Sequence, residues 1–254
     1  MSHSVSDMRR LIGPGSDIKL ENNHLCCYNI DRKTFGVFPR ISRINHSCAP
    51  NCVDSAGSNK EEKIVVALRK ILKGEELSLS YLHTPAGSKA MRAEELRYWN
   101  FVCHCELCLR ETRGESVSRE NIVALAGEVT DFVKLLEDAQ DQEPYMNDDQ
   151  KRFLSTTIYC GIDKKLAACE TLVTKVDQLS LPPPQLQLSC HLHAAHLSVK
   201  KQCLGLVGQN ALRRAEWHLE SAWELAKHVP SFREVFISGM ARVLLAPVNW
   251  SYGI

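Results

Sequence analysis

Phe101-Val102-Cys103-His104-Cys105-Glu106-Leu107-Cys108 places three thiols within six residues. That spacing can wrap one ion but is one ligand short of a closed tetrahedral zinc site. The fourth donor has to come from elsewhere in the chain. Cys48 is the best placed, standing in Asn45-His46-Ser47-Cys48-Ala49-Pro50-Asn51, where Pro50 and the flanking polar residues point to a fixed loop at a strand end. Two other readings of the triplet stay open: three cysteines that merely pack, and His104 as a ligand.

The rest of the composition narrows what such a site is for. The chain has 254 residues, enough for one large domain or two small ones, with 31 basic against 30 acidic side chains and 11 cysteines. A net charge of +1 argues against a phosphate-binding surface, so neither nucleic acid nor an anionic membrane surface is an expected partner. The longest apolar runs, Ile64 to Leu68 and Val243 to Val248, fall far short of the ~18 residues of a membrane helix. The first ten residues carry no apolar signal core, so the thiols are expected in a reducing compartment, as metal ligands or buried thiols rather than disulfides.

Seven of the 11 cysteines lie at or before residue 108, and the pattern changes near residue 115. Before it, apolar residues alternate: Ile64, Val66 and Leu68 in one stretch, Leu77, Leu79 and Tyr81 in the next, with Lys73-Gly74-Glu75 a turn between them. After about residue 118 they recur every three or four places, as in Leu212, Ala215, Leu219, Ala222, Trp223 and Ala226, one face of a helix. Ser231 with Glu234 reads as a capping box opening another helix. Gln140 to Gln150 and Pro182-Pro183-Pro184 divide the region into four to six helices packed as hairpins.

Three motifs in register over about 65 residues resemble the C-terminal half of a SET domain with its post-SET zinc loop. They are Arg43-Ile44-Asn45-His46-Ser47-Cys48-x-Pro50-Asn51, Gly74-Glu75-Glu76-Leu77-x-x-x-Tyr81 and Phe101-x-Cys103-x-Cys105-x-x-Cys108. Their order is similar to that of the fungal and SET-and-MYND branch of protein-lysine methyltransferases. The resemblance implies S-adenosylmethionine as cofactor, with Asn45 and His46 binding it, Ser42 as a lesser contributor and the Phe101 ring against the adenine. It implies Tyr81 as the catalytic tyrosine, Trp99 as an aromatic wall of the lysine channel, and Cys48, Cys103, Cys105 and Cys108 as ligands of a structural zinc.

The family's Gly-x-Gly strand has no counterpart that we recognise. Gly13-Pro14-Gly15 lies about 30 residues before Asn45 with proline where a strand should pair, and it reads as a turn. The expectation is therefore a partial SET fold with impaired catalysis.

The expected architecture is α+β: an N-terminal segment 1–19, a partial SET β-fold with a post-SET zinc loop over 20–115, and an all-α helical-hairpin domain over 116–254 similar to the tetratricopeptide-like tail of that branch. The expected function is S-adenosylmethionine-dependent protein-lysine methylation in nucleus or cytoplasm. Its partners would be a protein substrate such as a histone and a protein bound by the helical domain. The alternatives are a non-catalytic zinc-stabilised interaction module and, disfavoured by charge, a nucleic-acid-binding zinc module. Cys26, Cys27 and Cys52 are expected as buried thiols. His191-x-His193-x-x-His196 is not expected to bind metal, because residues 191 and 193 point to opposite sides of a helix. The basic residues near 200 and 213 are expected on a solvated face.

Overall fold

The computed structural model describes residues 27–29, 35–38, 40–57, 62–142, 145–203 and 210–244. The described residues form two compact units, one within 27–85 and 89–112, the other within 86–88 and 113–244. The expectations for segment 1–19, Gly13-Pro14-Gly15, Cys26 and the stretch after Leu244 lie outside the described residues, as does the side chain of Cys27.

The first unit pairs short strands two by two. β1 (Cys27–Asn29) runs antiparallel to β2 (Phe35–Val37), and β4 (Cys52–Ala56) antiparallel to β5 (Lys63–Ala67). β3 (Asn45–His46) runs parallel to β6 (Ser78–Leu79), with Asn45 opposite Ser78 and His46 opposite Leu79. The Lys73–Glu75 turn is present: the Glu75 amide donates to the Leu72 carbonyl at 3.0 Å, and Gly74 takes φ +88°. The stretches on either side of it nonetheless pair elsewhere, with β4 and β3.

The alternation expected over residues 76–81 is only partly realised. Leu79 is buried at 4% exposure while Leu77 is 44% exposed, and the strand is two residues long. The reason is local: the Ser78 amide donates to the Asn51 side chain and the Tyr81 amide to the His46 ring, so side chains take donors that a ladder would use. A small core of Ile41, Cys52 and Leu79, with Phe38, Ile44, Val65, Ile71 and Tyr81 against it, sits under this network. Two short helices complete the unit, α1 (Lys89–Leu96) and α2 (Glu106–Arg110), with a 3-10 turn at Arg97–Trp99 between them.

The second unit is helical among its described residues: α3 (Arg113–Gln142), α4 (Asp148–Asp177), α5 (Pro184–Cys203), α6 (Asn210–Ala226) and α7 (Pro230–Leu244). The breaks fall in the polar stretch and at the prolines, as expected, and together the two units make an α+β protein. Ile122, Val129 and Leu136 of α3 meet Ile158, Ile162, Cys169 and Leu172 of α4 and Ala194 and Leu197 of α5 in one core.

Three sequence expectations are corrected here. Ser231 does not cap a helix, because α7 already begins at Pro230, a residue pre-set for the first helical position. The capping box belongs instead to Asn147 and Gln150, which open α4 by exchanging side-chain and backbone bonds. On α6 the buried stripe is Ala211, Ala215, His218, Ala222 and Ala226, while Leu212 and Trp223 are 54% and 42% exposed. Small alanines let α6 lie close to α5, and that closeness chooses the alanine face over the bulkier one. Lys200 is buried at 2% exposure, not solvated, because α5 packs against all four other helices of the unit; Arg213 and Arg214 are exposed as expected.

Candidate functional site: a four-thiol cluster beside an aromatic cavity

Cys48 follows β3, Cys103 and Cys105 precede α2, and Cys108 lies inside it. Their sulfur atoms all lie within 4.8 Å of one another. Cys48 Sγ is 3.8 Å from Cys103 Sγ and 3.5 Å from Cys108 Sγ. A tetrahedral site with Zn–S bonds of about 2.3 Å has S···S edges of about 3.8 Å, so this set fits zinc in both spacing and donor chemistry. None of the four is in a disulfide, and His104 is exposed and outside the group.

The thiols are strongly polarised against one another. Hydrogen bonds from Cys105 and Cys108, then burial, push the Cys48 thiol far up. Burial first pushes Cys103 up to about 11, whereas hydrogen bonds from Cys108 and Cys48 pull Cys105 down. Two buried and two half-buried thiols this close cannot all shed their protons unaided, and a bound divalent cation would resolve that.

Beside the cluster opens a cavity of about 590 Å³ lined by Asn45, His46, Tyr81, Trp99 and Phe101, along with Glu76 and Ser78. Four rings pack around it: Tyr81 and Trp99 with centroids 4.9 Å apart, His46 and Tyr81 at 5.2 Å, and His46 and Phe101 at 5.8 Å. Asn100 makes this geometry by taking the left-handed conformation, φ 56°, at the end of the 3-10 turn, which separates the orientations of Trp99 and Phe101.

His46 ties cavity to cluster. Its Nδ1 accepts the Tyr81 amide at 3.0 Å, which leaves the ring proton on Nε2, 3.2 Å from Cys48 Sγ. Burial lowers the His46 pKa to about 4, so the ring is neutral at pH 7. The Tyr81 hydroxyl donates to the Ile44 carbonyl at 2.5 Å, and the Asn45 side-chain Nδ2 donates to Glu76 Oε1 at 2.6 Å.

The structure therefore brings together Asn45, His46, Tyr81, Trp99 and Phe101 around the cavity and the four cysteines in a cluster, of which Cys103 and Cys105 also line the cavity. Ser42 sits in a 3-10 turn, Ile41–Arg43, with its amide bonded to the Phe38 carbonyl, and is not among the residues lining the cavity. Sequence reasoning missed Glu76 and Ser78 as cavity residues and Asn51 as their organiser. Asn51 and Glu76 stand in the quoted motifs, but the alternation of Leu77, Leu79 and Tyr81 assigns Glu76 and Ser78 to a solvent face and so hides them.

Residues 5–82 match the SET domain model. The chain is 35% identical over 107 residues to the histone-lysine N-methyltransferase SET5 of Vanderwaltozyma polyspora, covering 42% of this chain and 21% of that protein. It is 32% identical over 103 residues to the histone-lysine N-methyltransferase ASHR1 of Arabidopsis thaliana, covering 40% and 21%. Over 84 residues it is 33% identical to the histone-lysine N-methyltransferase SMYD3 of Mus musculus, covering 33% and 19%. The aligned part thus spans about a fifth of the length of these curated relatives. Residues 5–82 are thus similar to the SET domain, as the three quoted motifs are.

Proposed function

We propose that this protein is a protein-lysine N-methyltransferase that binds S-adenosylmethionine in the aromatic cavity, with a histone as the substrate class that the relatives' names suggest. One observation carries the reading: the residues of three separate motifs, Asn45 and His46, Tyr81, and Trp99 and Phe101, line a single cavity against a four-thiol cluster. In this reading residues 20–115 are the SET and zinc-loop part, and residues 116–254 a tetratricopeptide-like domain that binds a protein partner.

The cofactor, when bound, supplies an electrophilic methyl on a sulfonium. The chain's task is alignment and exclusion of water, since displacement at such a methyl needs little acid or base help once the amine is neutral. Tyr81 donates its hydroxyl proton to the Ile44 carbonyl, so toward an incoming amine its oxygen acts as an acceptor and not as a donor. Trp99 packs on Tyr81 and narrows the approach, and Phe101, 37% exposed, offers a ring face for stacking. Asn45 and Glu76 supply donor and acceptor at the same wall. Cys48, Cys103, Cys105 and Cys108 would hold a structural zinc, whose four protein ligands leave no open position for chemistry and whose binding orders the segment carrying Phe101.

Isothermal calorimetry of the zinc-loaded protein with S-adenosylmethionine, and transfer of labelled methyl to core histones, test the reading together. Binding with transfer, lost in Tyr81→Phe, is the expected result; no heat at millimolar cofactor sinks it. Metal analysis should give about one zinc per chain, falling sharply in Cys105→Ser.

A second reading, a zinc-stabilised interaction module without catalysis, is favoured by the same Tyr81–Ile44 bond, which gives the hydroxyl a structural partner. It requires Tyr81→Phe to leave partner binding unchanged and no methyl transfer to exist to be lost. Among the described residues no helix is long and apolar enough to cross a membrane, and nucleus or cytoplasm is the proposed location.

A further inference from the structure

Outside the cavity lining, a charged pair presses on the cluster. Arg92 of α1 and Glu111, just past α2, have fully buried side chains. Arg92 Nη2 donates to Glu111 Oε2 at 2.7 Å and lies 3.7 Å from Cys108 Sγ. The other Glu111 oxygen accepts the Lys89 amide at 2.7 Å, which fixes the carboxylate and through it the guanidinium.

Packing alone does not call for this pair. Two charges removed from water are often replaced by apolar side chains without loss of stability. What does call for a buried cation is its neighbour: four thiolates around one divalent ion carry a net charge of −2, and Cys48 and Cys108 are themselves only 3% and 4% exposed. Arginine rather than lysine suits the position, because the planar guanidinium fixes the directions of the two Nη2 protons, one toward the carboxylate and one toward the sulfur. A guanidinium keeps its proton in a protein, so the buried group is a cation.

We propose that Arg92, oriented by Glu111, is the positioning residue of the metal centre: it donates to the Cys108 thiolate, offsets part of the cluster's negative charge and holds that ligand in place for zinc. The proposal rests on the zinc reading of the four cysteines.

Its test is zinc affinity of the full chain, measured by competition with a chromophoric chelator, and the thiolate-to-metal charge-transfer band of the cobalt-substituted protein. The decisive variant is the apolar pair Arg92→Met with Glu111→Leu, in which neither charge is left buried alone. A merely structural ion pair predicts that this variant, if folded, holds zinc as tightly as the parent. The proposal predicts native circular dichroism with zinc affinity about 10–100-fold lower and a shifted charge-transfer band, because the Cys108 sulfur has lost its donor. Parent affinity with an unshifted band overturns it. If the apolar pair does not fold, Arg92→Lys decides: the charge is kept but the in-plane Nη2 protons that point at Glu111 and Cys108 are replaced by a freely rotating ammonium, so an unchanged band and affinity refute the positioning role, and intermediate values support it. Failure of the parent protein to bind zinc refutes the underlying zinc reading instead.

Discussion

Asn51→Ala should loosen the join between the Asn45–Asn51 loop and β6. The Asn51 side chain, 2% exposed, donates to Glu75 Oε1 at 3.0 Å and to the Glu76 carbonyl at 2.8 Å. It accepts from the Ser78 amide at 2.9 Å and the Ser78 hydroxyl at 3.3 Å. Each such bond contributes about 1 kcal/mol net, and the substitution also strands the Ser78 amide and the Glu76 carbonyl in a half-buried place. Partial access of water to the vacated space offsets some of this, giving a cost of about 2–4 kcal/mol. Against a domain stability of about 5–15 kcal/mol the unit should still fold.

The loss is best read locally, because a two-unit chain need not unfold in one step. Hydrogen exchange of the Ser47 and Ser78 amides reports the β3–β6 join directly, since Ser47 donates to the Leu79 carbonyl at 2.9 Å. A cost of about 2–4 kcal/mol corresponds to exchange faster by roughly 30- to 1000-fold. A change under about twofold at both amides would refute Asn51 as the organiser of the site. A second readout comes from Glu75, whose carboxyl is held near pKa 2 by Arg69 first, then by the Leu72 amide and Asn51. A carboxyl with a folded-state pKa below its unfolded value stabilises above that unfolded value and loses the contribution as pH falls toward 2. In Asn51→Ala this pKa should rise but remain depressed, because the Arg69 contact survives.

His191 and His218 of the helical unit share a short Nδ1···Nδ1 contact of 3.0 Å and pack with Trp217. Burial, with His191 and Arg214 adding, lowers His218 to about 4, and burial lowers His191 despite Asp177. The unfolded chain therefore binds protons first as pH falls below about 6.5, so this unit should lose stability from there toward pH 4, a loss that His218→Gln reduces; a flat denaturation profile over that window contradicts it. Gly127→Ala on α3 has nothing within 4 Å of the new methyl and should raise the melting temperature through about 0.5–1 kcal/mol of helix propensity. Gly161→Ala on α4 would place its Cβ 2.8 Å from the Phe132 ring and should cost about 1–3 kcal/mol, recovered in part when combined with Phe132→Leu. Asn100→Gly should be close to neutral and Asn100→Val cost about 1–2 kcal/mol, with the cavity face of Phe101 disturbed, as thermal melts and cofactor titration would show.

The parts of this site that could be read from the sequence are those whose geometry is set within a few residues. Cys103, Cys105 and Cys108 lie within one loop and one helical turn, so their spacing already limits them to a common ion; Cys48 needed only a fixed loop, which Pro50 announces. The same holds for the turn at Gly74 and the helix breaks around α4. What could not be read depends on a partner supplied from far along the chain. The exposed side of α6 was misjudged by about one residue because size matching with α5, not hydrophobicity, chose the alanine stripe.

Residues 76–81 alternate as a strand should, yet the donors of Ser78 and Tyr81 are claimed by Asn51 and His46, residues 27 and 35 positions away. Arg92 looks like any solvated helix cation until Glu111 and Cys108 close around it. These long-range claims share one direction: in each, a polar side chain ties the segment holding Tyr81 or Cys108 to the loop holding Asn45 and Cys48, or fixes a ligand of the cluster. Thiols and rings thus name the chemistry, while the polar side chains beside them set its geometry. Substitutions at Asn51, Glu76 and Arg92 should therefore weaken the site as surely as those at Tyr81 or Cys105, but through lost alignment rather than lost chemical groups.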